Sequence, residues 1–319
     1  MGRNALMNPK LALGFAFLGT IFNPMAALAE YPAQPVEVVV TFAAGGAPDV
    51  LARALVEDMS STLKQPFVVV NRLGASGAIG GGAVARAKPD GYTLLFSPAL
   101  IASVVPIMQP SAGFTADAFE PVCQTFESQM ALIVAPDSPF KSVKDIVEAA
   151  KKQPGKLTYG HAGIGSIPHL TMLQFAKMAN IDVVGAPYKG DSNVLPAVLG
   201  KHLNFAPITL GSIAGGQARI VALFAPERNP AIPDIPTVKE QGFDVTPTSF
   251  GGIFAPAKLP SDVKQKLQTA CEKATKSARY LELAKKLRLG QHLFLPADQF
   301  EQRLKQDIKE KAEILSNLK

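Results

Sequence analysis

The chain has 319 residues, 47% of them hydrophobic, with 32 Lys and Arg against 26 Asp and Glu and a formal net charge of +6. That apolar content excludes a disordered chain and is enough for two cores of ordinary size without disulfide scaffolding. The basic residues are scattered among acids, as in KQDIKEKAE near the C-terminus, so they read as solvated helix faces and exclude a nucleic-acid stripe.

At the N-terminus, Arg3 and Lys10 precede an apolar stretch from Leu11 to Phe22, and Ala27-Leu28-Ala29 offers a small-x-small cleavage site. This is the pattern of a secretory signal peptide over residues 1–29. The mature chain is expected to begin at Glu30 and, with Arg3 and Lys10 removed, to carry +4. The apolar core of the leader is shorter than the ~20 residues needed to span a bilayer, so an exported, soluble protein is expected. Cys123 and Cys271 are its two cysteines; there is no CxxC and no cysteine–histidine cluster of zinc spacing. Neither a redox motif nor a metal site is expected, and the spacing leaves a disulfide and two buried thiols equally open.

Strand and helix signals then alternate. VEVVVTF (36–42) reads as a strand, and PDVLARALVEDMSSTL as a helix with Leu51, Leu55, Met59 and Leu63 on one face and Pro48 in its first turn. FVVV, a glycine loop opening a helix through Ala87, the turn Lys88-Pro89-Asp90-Gly91 and the strand YTLLF follow. This βαβαβ unit requires parallel strands with loops gathered at their carboxyl ends. A second series begins at MALIVAP (130–136): a capping box of Ser142 and Asp145, the helix DIVEAAKK, the strand KLTYG, a loop and the helix HLTMLQFAKMA. IDVVGAPYKG, a short helix to Leu199 and the strands LNFAPI and RIVALFAP complete it. The stretch from Pro226 to Pro247 carries five prolines and reads as an extended connector. SFGGIFAP returns as a strand, and helices over 261–276, 278–288 and 297–318 end the chain. Leaving the first lobe near Thr125 and returning near Phe250, the chain makes two crossings that act as a hinge.

Three glycine-rich loops follow strands and precede helices: FAAGGAPD (42–49), LGASGAIG (73–80) and GHAGIGSIP (160–168). Glycine admits positive φ and lets a ligand approach main-chain N–H groups, while each following helix presents a pole of ~+0.5 charge. Such loops on one cleft favour an anion. The second is not a dinucleotide fingerprint: its glycines are spaced GxxGxxG, and Asp90 sits in a turn instead of at a strand end. Ser166 is not in a GxSxG elbow, His161 and His169 do not form HExxH, and His202 and His292 stand alone. A binding module is favoured over an enzyme.

The stretches YPAQPVEVVVTFAAGGAPDVLAR, QPFVVVNRLGASGAIGGGAVARAKPDGYTLLF, LTYGHAGIGSIPHL, APYKG and PERNPAIPDIPTVKEQGFD followed by GGIFAPAKLP resemble the periplasmic solute-binding receptors of the tripartite tricarboxylate transporter family, the Bug-type proteins. The resemblance implies an α/β, two-lobed, type II Venus-flytrap periplasmic-binding-protein fold with the ligand cleft between two α/β domains. Residues 30–128 with 250–319 would form the first domain and 129–249 the second. It implies a monomeric periplasmic receptor that catalyses no reaction, needs no cofactor or metal, and delivers a small carboxylate to a membrane permease with large and small subunits. A secreted α/β enzyme and a receptor feeding a sensor kinase are the alternatives.

Carried over by position, the carboxylate contacts implied are Ala43, Ala44, Gly45, Gly46, Ala75, Ser76 and Gly77 in the first lobe and His161, Ala162, Gly163, Gly165 and Ser166 in the second. Ser97 and Lys189 are further contributors. Asp49 is expected to orient its loop and helix instead of meeting an anion. The sequence departs from the family at His161, where serine is usual, and at Ala206-Pro207, where Phe-Asp is usual. The segment up to Arg219 is shorter by roughly four residues. The missing Asp leans the expectation away from amino acids, towards di- or tricarboxylates or aromatic acids.

Overall fold

Runs of β-branched residues become strands, and stretches with apolar residues every fourth position become the helices that cover them. The computed structural model describes residues 30–213, 216–247, 249–290 and 293–316; the expected signal peptide and His292 lie outside the described residues. The first half runs β1 (Val36–Val40), α1 (Ala47–Leu63), β2 (Phe67–Asn71), α2 (Ala78–Ala85), β3 (Thr93–Pro98), α3 (Leu100–Ser103), α4 (Val105–Met108) and β4 (Phe119–Ser128). Next come β5 (Met130–Val134), α5 (Val143–Lys152), β6 (Thr158–His161), α6 (Ile167–Ala179), β7 (Val184–Pro187), α7 (Asp191–Leu199), β8 (Ala206–Thr209) and β9 (Arg219–Phe224). The chain closes with β10 (Ser249–Pro256), α8 (Ser261–Thr275), α9 (Ala278–Lys286), β11 (Leu295–Pro296) and α10 (Ala297–Ser316).

Leu51, Leu55 and Met59 of α1 are buried, so the four-residue spacing does set the inner face. The capping box of α5 is made in full: Ser142 Oγ accepts from the Asp145 amide at 3.2 Å, and Asp145 Oδ2 accepts from the Ser142 amide at 2.9 Å. Residues 226–247 carry no helix or strand beyond an isolated bridge from Thr237 to Leu223. The structure adds α3, α4, β4 and β11 to the elements expected from sequence.

Six strands in the order β11-β4-β10-β3-β1-β2 form the first lobe's sheet. β1, β2 and β3 are parallel, and β10 is antiparallel to β3 and β4. The second lobe holds β8-β5-β9 and the parallel pair β6-β7, joined by a parallel bridge between Tyr159 and Phe205. Both crossings between lobes run side by side, because Ser249 at the start of β10 pairs with Ser128 at the end of β4. The topology therefore puts the carboxyl ends of β1–β3 on one edge and those of β6–β8 on another, where α/β sheets carry ligands. A Cys123–Cys271 disulfide, both cysteines fully buried in the first lobe's core, ties β4 to α8.

Candidate functional site

The first-lobe edge is organised by Asp49, which is 1% exposed. Its Oδ2 accepts from the Gly45 amide at 2.9 Å and from Arg53 Nε at 2.9 Å, and its Oδ1 accepts from Asn71 Nδ2 at 2.7 Å. Burial pushes its pKa up, but the bonds from Arg53, Asn71 and Gly45 together outweigh that and hold it below the usual carboxylate range. Asp49 thus pins the 42–46 loop to α1 and β2, and its charge is spent internally. Deeper in the edge, Thr41 Oγ1 and Ser97 Oγ stand 3.3 Å apart, so Ser97 lies buried below the loops.

The second loop holds an unusual backbone. Gly74, Ala75, Ser76 and Gly77 run consecutively at φ of 117°, 48°, 53° and 94°. For the alanine and the serine the left-handed region costs about 1–2 kcal/mol each, and such strain persists only where surrounding structure over-determines it, most often at functional sites. Gly77 is required where it stands: a Cβ there would lie 3.2 Å from Thr41 Cβ.

In the second lobe, β6 ends in His161, 2% exposed, whose ring centroid lies 4.5 Å from that of His169 in the first turn of α6. His169 Nδ1 accepts from the Gly165 amide at 3.2 Å, and Ser166 Oγ caps α6 by accepting from the His169 amide at 3.4 Å. Burial, and secondarily the His161 ring, lower the His169 pKa to about 4. Burial also lowers that of His161, against a main-chain hydrogen bond at Gly163. Both rings are neutral at pH 7. His161 Nδ1 is buried with no hydrogen-bond partner.

The two loops meet. Ser76 Oγ donates to the Ile164 carbonyl at 3.5 Å, and a Cβ on Gly163 would lie 3.7 Å from Ser76 Oγ. Gly165 packs against Met108 and Val104 of the first lobe, and an apolar seam of Val104, Leu170 and Leu315 continues the contact. Gly46, Gly77 and Ser166 donate their amides within their own loops, to Ala43, Gly74 and Gly163; with Gly45 and Gly165 also engaged, these amides shape the site. Among the described residues, the amides of Ala43, Ala44, Ala75 and Ser76 have no such internal acceptor, and all four residues are exposed. Ala162–Ile164 is the outward part of the second-lobe loop.

Lys189 is exposed on the turn between β7 and α7, which is tied to β6 where the Tyr188 amide donates to the His161 carbonyl at 2.8 Å. Asp191, absent from the sequence-derived set, accepts at Oδ2 from the Thr209 amide at 2.8 Å and from Ser212 Oγ at 3.3 Å. Burial raises its pKa, against those bonds. It joins α7 to the end of β8, the strand that opens with the Ala206-Pro207 departure. An acid directly after Gly190 at a helix start was the signal for it. Among the described residues no cluster of three or more His, Cys, Asp or Glu could hold a metal. Two cavities, of about 490 and 600 Å³, lie away from these loops, against α1 and β2 and beside the crossing strands.

Two α/β lobes joined by adjacent crossings, with amide-rich loops facing each other, define the architecture of the periplasmic binding proteins. The structure superposes on the periplasmic binding protein BugD with a TM-score of 0.80 at 30% identity, covering 90% of this chain and 98% of that one. MatC from Rhodopseudomonas palustris, solved with bound malate, matches with a TM-score of 0.80 at 26% identity, over 89% of this chain and 99% of that one. A UPF0065 protein of Bordetella pertussis is 31% identical over 79% of this chain and 80% of its own length. The family described as tripartite tricarboxylate transporter family receptor, TctC, matches residues 51–318. The chain belongs to this family of periplasmic solute-binding receptors.

Proposed function

We propose that the protein captures a small organic acid, a di- or tricarboxylate or an aromatic carboxylate, between its lobes and delivers it unaltered to a membrane permease with large and small subunits. The leader of residues 1–29 exports it to the periplasm, where it acts as a monomer. The moving bodies are residues 30–128 with 250–319, and residues 129–249. The observation that carries this reading is the meeting of the strained 74–77 loop with the 161–166 loop at Ser76 and Ile164. A ligand held there touches both lobes and therefore binds the closed form better. Ala43, Ala44, Ala75 and Ser76 supply main-chain donors, Ala162 and Gly163 face them, and Ser97 and Lys189 contribute from the floor and the rim. Charge-assisted bonds to amides are roughly twice as strong as neutral ones, so no pocket arginine is required. Malate in the related MatC structure supports a dicarboxylate.

The test is a thermal-shift screen of residues 30–319 against L-malate, citrate and benzoate, followed by mass spectrometry of the recovered compound. A saturable rise in Tm with the compound unchanged is expected. A chemically altered compound would move the protein to the enzymes.

A further inference from the structure

His161 is the one residue of the ligand loop whose buried side chain has been left with an unsatisfied polar atom. Nδ1 has no partner, the side chain is 2% exposed, and an orphaned buried polar group costs about 1–3 kcal/mol until something meets it. Its ring lies against a second imidazole, that of His169, at 4.5 Å. Two charges at that separation repel strongly, so the pair accepts at most one proton and titrates as a unit.

The groups around the pair leave it without a counter-charge. From β6 the ionisable neighbour is Tyr159, 5.8 Å from His161, its phenol pushed up to about 12 by burial. α6 brings no acid into its first turn. The turn between β7 and α7 brings Lys189 and Asp191, the latter's Oδ2 bound to Thr209 and Ser212. The opposing lobe brings Val104, Met108 and the hydroxyl of Ser76. Neither imidazole has a carboxylate among the causes of its shift. Burial keeps the ring pair neutral and no neighbouring anion offsets it, and the reading of residues 161–166 as a carboxylate-holding loop puts one beside it.

Resting on that reading, we infer that carboxylate binding loads a proton onto the His161–His169 pair, so that the receptor takes its ligand together with a proton. An opposite charge at ~4–6 Å raises a pKa by about 1–3 units, enough to carry a histidine lowered by burial back towards neutrality. The proton sits on a ring nitrogen of the pair, and opening of the lobes releases it with the ligand.

Calorimetry of L-malate binding to the mature protein at pH 6.5, in three buffers of different ionisation enthalpy, reads the proton count directly. The expected slope is uptake of about half a proton or more per malate, with affinity tightening at least about twofold from pH 8 to pH 6.5, where malate remains a dianion. His161→Asn, which keeps a polar atom near Nδ1 but does not titrate, should bring the slope to zero. Malate binding with no buffer dependence in the wild type overturns the inference and leaves the receptor reading standing. A slope that survives in both His161→Asn and His169→Asn also overturns it by placing the proton elsewhere. Absence of heat with malate, citrate and benzoate alike overturns the carboxylate reading and the inference together.

Discussion

His169 uses its Nδ1 lone pair to accept from the Gly165 amide, and burial together with the neighbouring ring holds its pKa at about 4, against 6.5 for a free histidine. A depressed imidazole contributes stability that is fully present above 6.5 and lost as pH falls through the folded value. After discounting for partial exposure this amounts to about 2 kcal/mol. The Tm of the ligand-free protein should therefore fall between pH 6.5 and 4, and His169→Asn, whose amide oxygen still accepts from Gly165, should flatten most of that fall. An unchanged acid limb in the variant would show that the stacked rings are not its source. Gly77 is the second residue whose replacement discriminates. Valine there combines φ of 94° with a Cβ 3.2 Å from Thr41 Cβ, which should cost about 2–3 kcal/mol in urea unfolding and remove the proposed rise in Tm with malate. A variant of wild-type stability that still binds malate would move the site away from this loop.

At the scale of elements, α7 packs on β8 through Val194, Ala197 and Val198 and is hydrogen-bonded to its end through one carboxyl group. Asp191 sits 18 and 21 residues from its partners Thr209 and Ser212, and burial raises its pKa above the ordinary value. A carboxyl shifted upward stabilises the fold most when protonated, and that contribution disappears as pH rises through the folded pKa. Asparagine keeps the acceptor for Thr209 and removes the ionisation, so Asp191→Asn should match or exceed wild-type stability at pH 7. Asp191→Ala, which orphans the Thr209 amide, should lose about 1–3 kcal/mol; equal losses in urea titrations of the two variants would refute the tie. The same distances explain what could be read from sequence. The capping box of Ser142 and Asp145 is three residues wide, and the glycine loops announce themselves by following strands, so both were legible. β4 was not: Glu120, Pro121, Gln124 and Thr125 interrupt its apolar residues, and it is a strand because β10 and β11 flank it. The Ser76–Ile164 contact spans 88 residues and has no local signal at all.

For the whole molecule the decisive feature is how the second lobe is inserted. Cys123 lies on β4 just before the chain crosses out, and Cys271 on α8 after it returns, so their disulfide closes a loop of 148 residues around the entire second lobe. In the chain-entropy description a loop of that length restricts the unfolded state by about 5 kcal/mol, and removal of native disulfides typically costs 2–5. Both cysteines are wholly buried in the first lobe's core and neither lies in residues 42–46, 74–77 or 161–166. The disulfide therefore ties the two halves of the first lobe together across the inserted second lobe. Cys123→Ala with Cys271→Ala should lower the Tm by roughly 5–15 °C and leave malate affinity, measured well below the new Tm, within about twofold of wild type. A Tm unchanged by the double substitution would mean that the inserted lobe's return is secured by packing of β4, β10 and α8 alone. A large loss of affinity at full stability would mean that the covalent tie shapes the cleft through the paired crossings at Ser128 and Ser249.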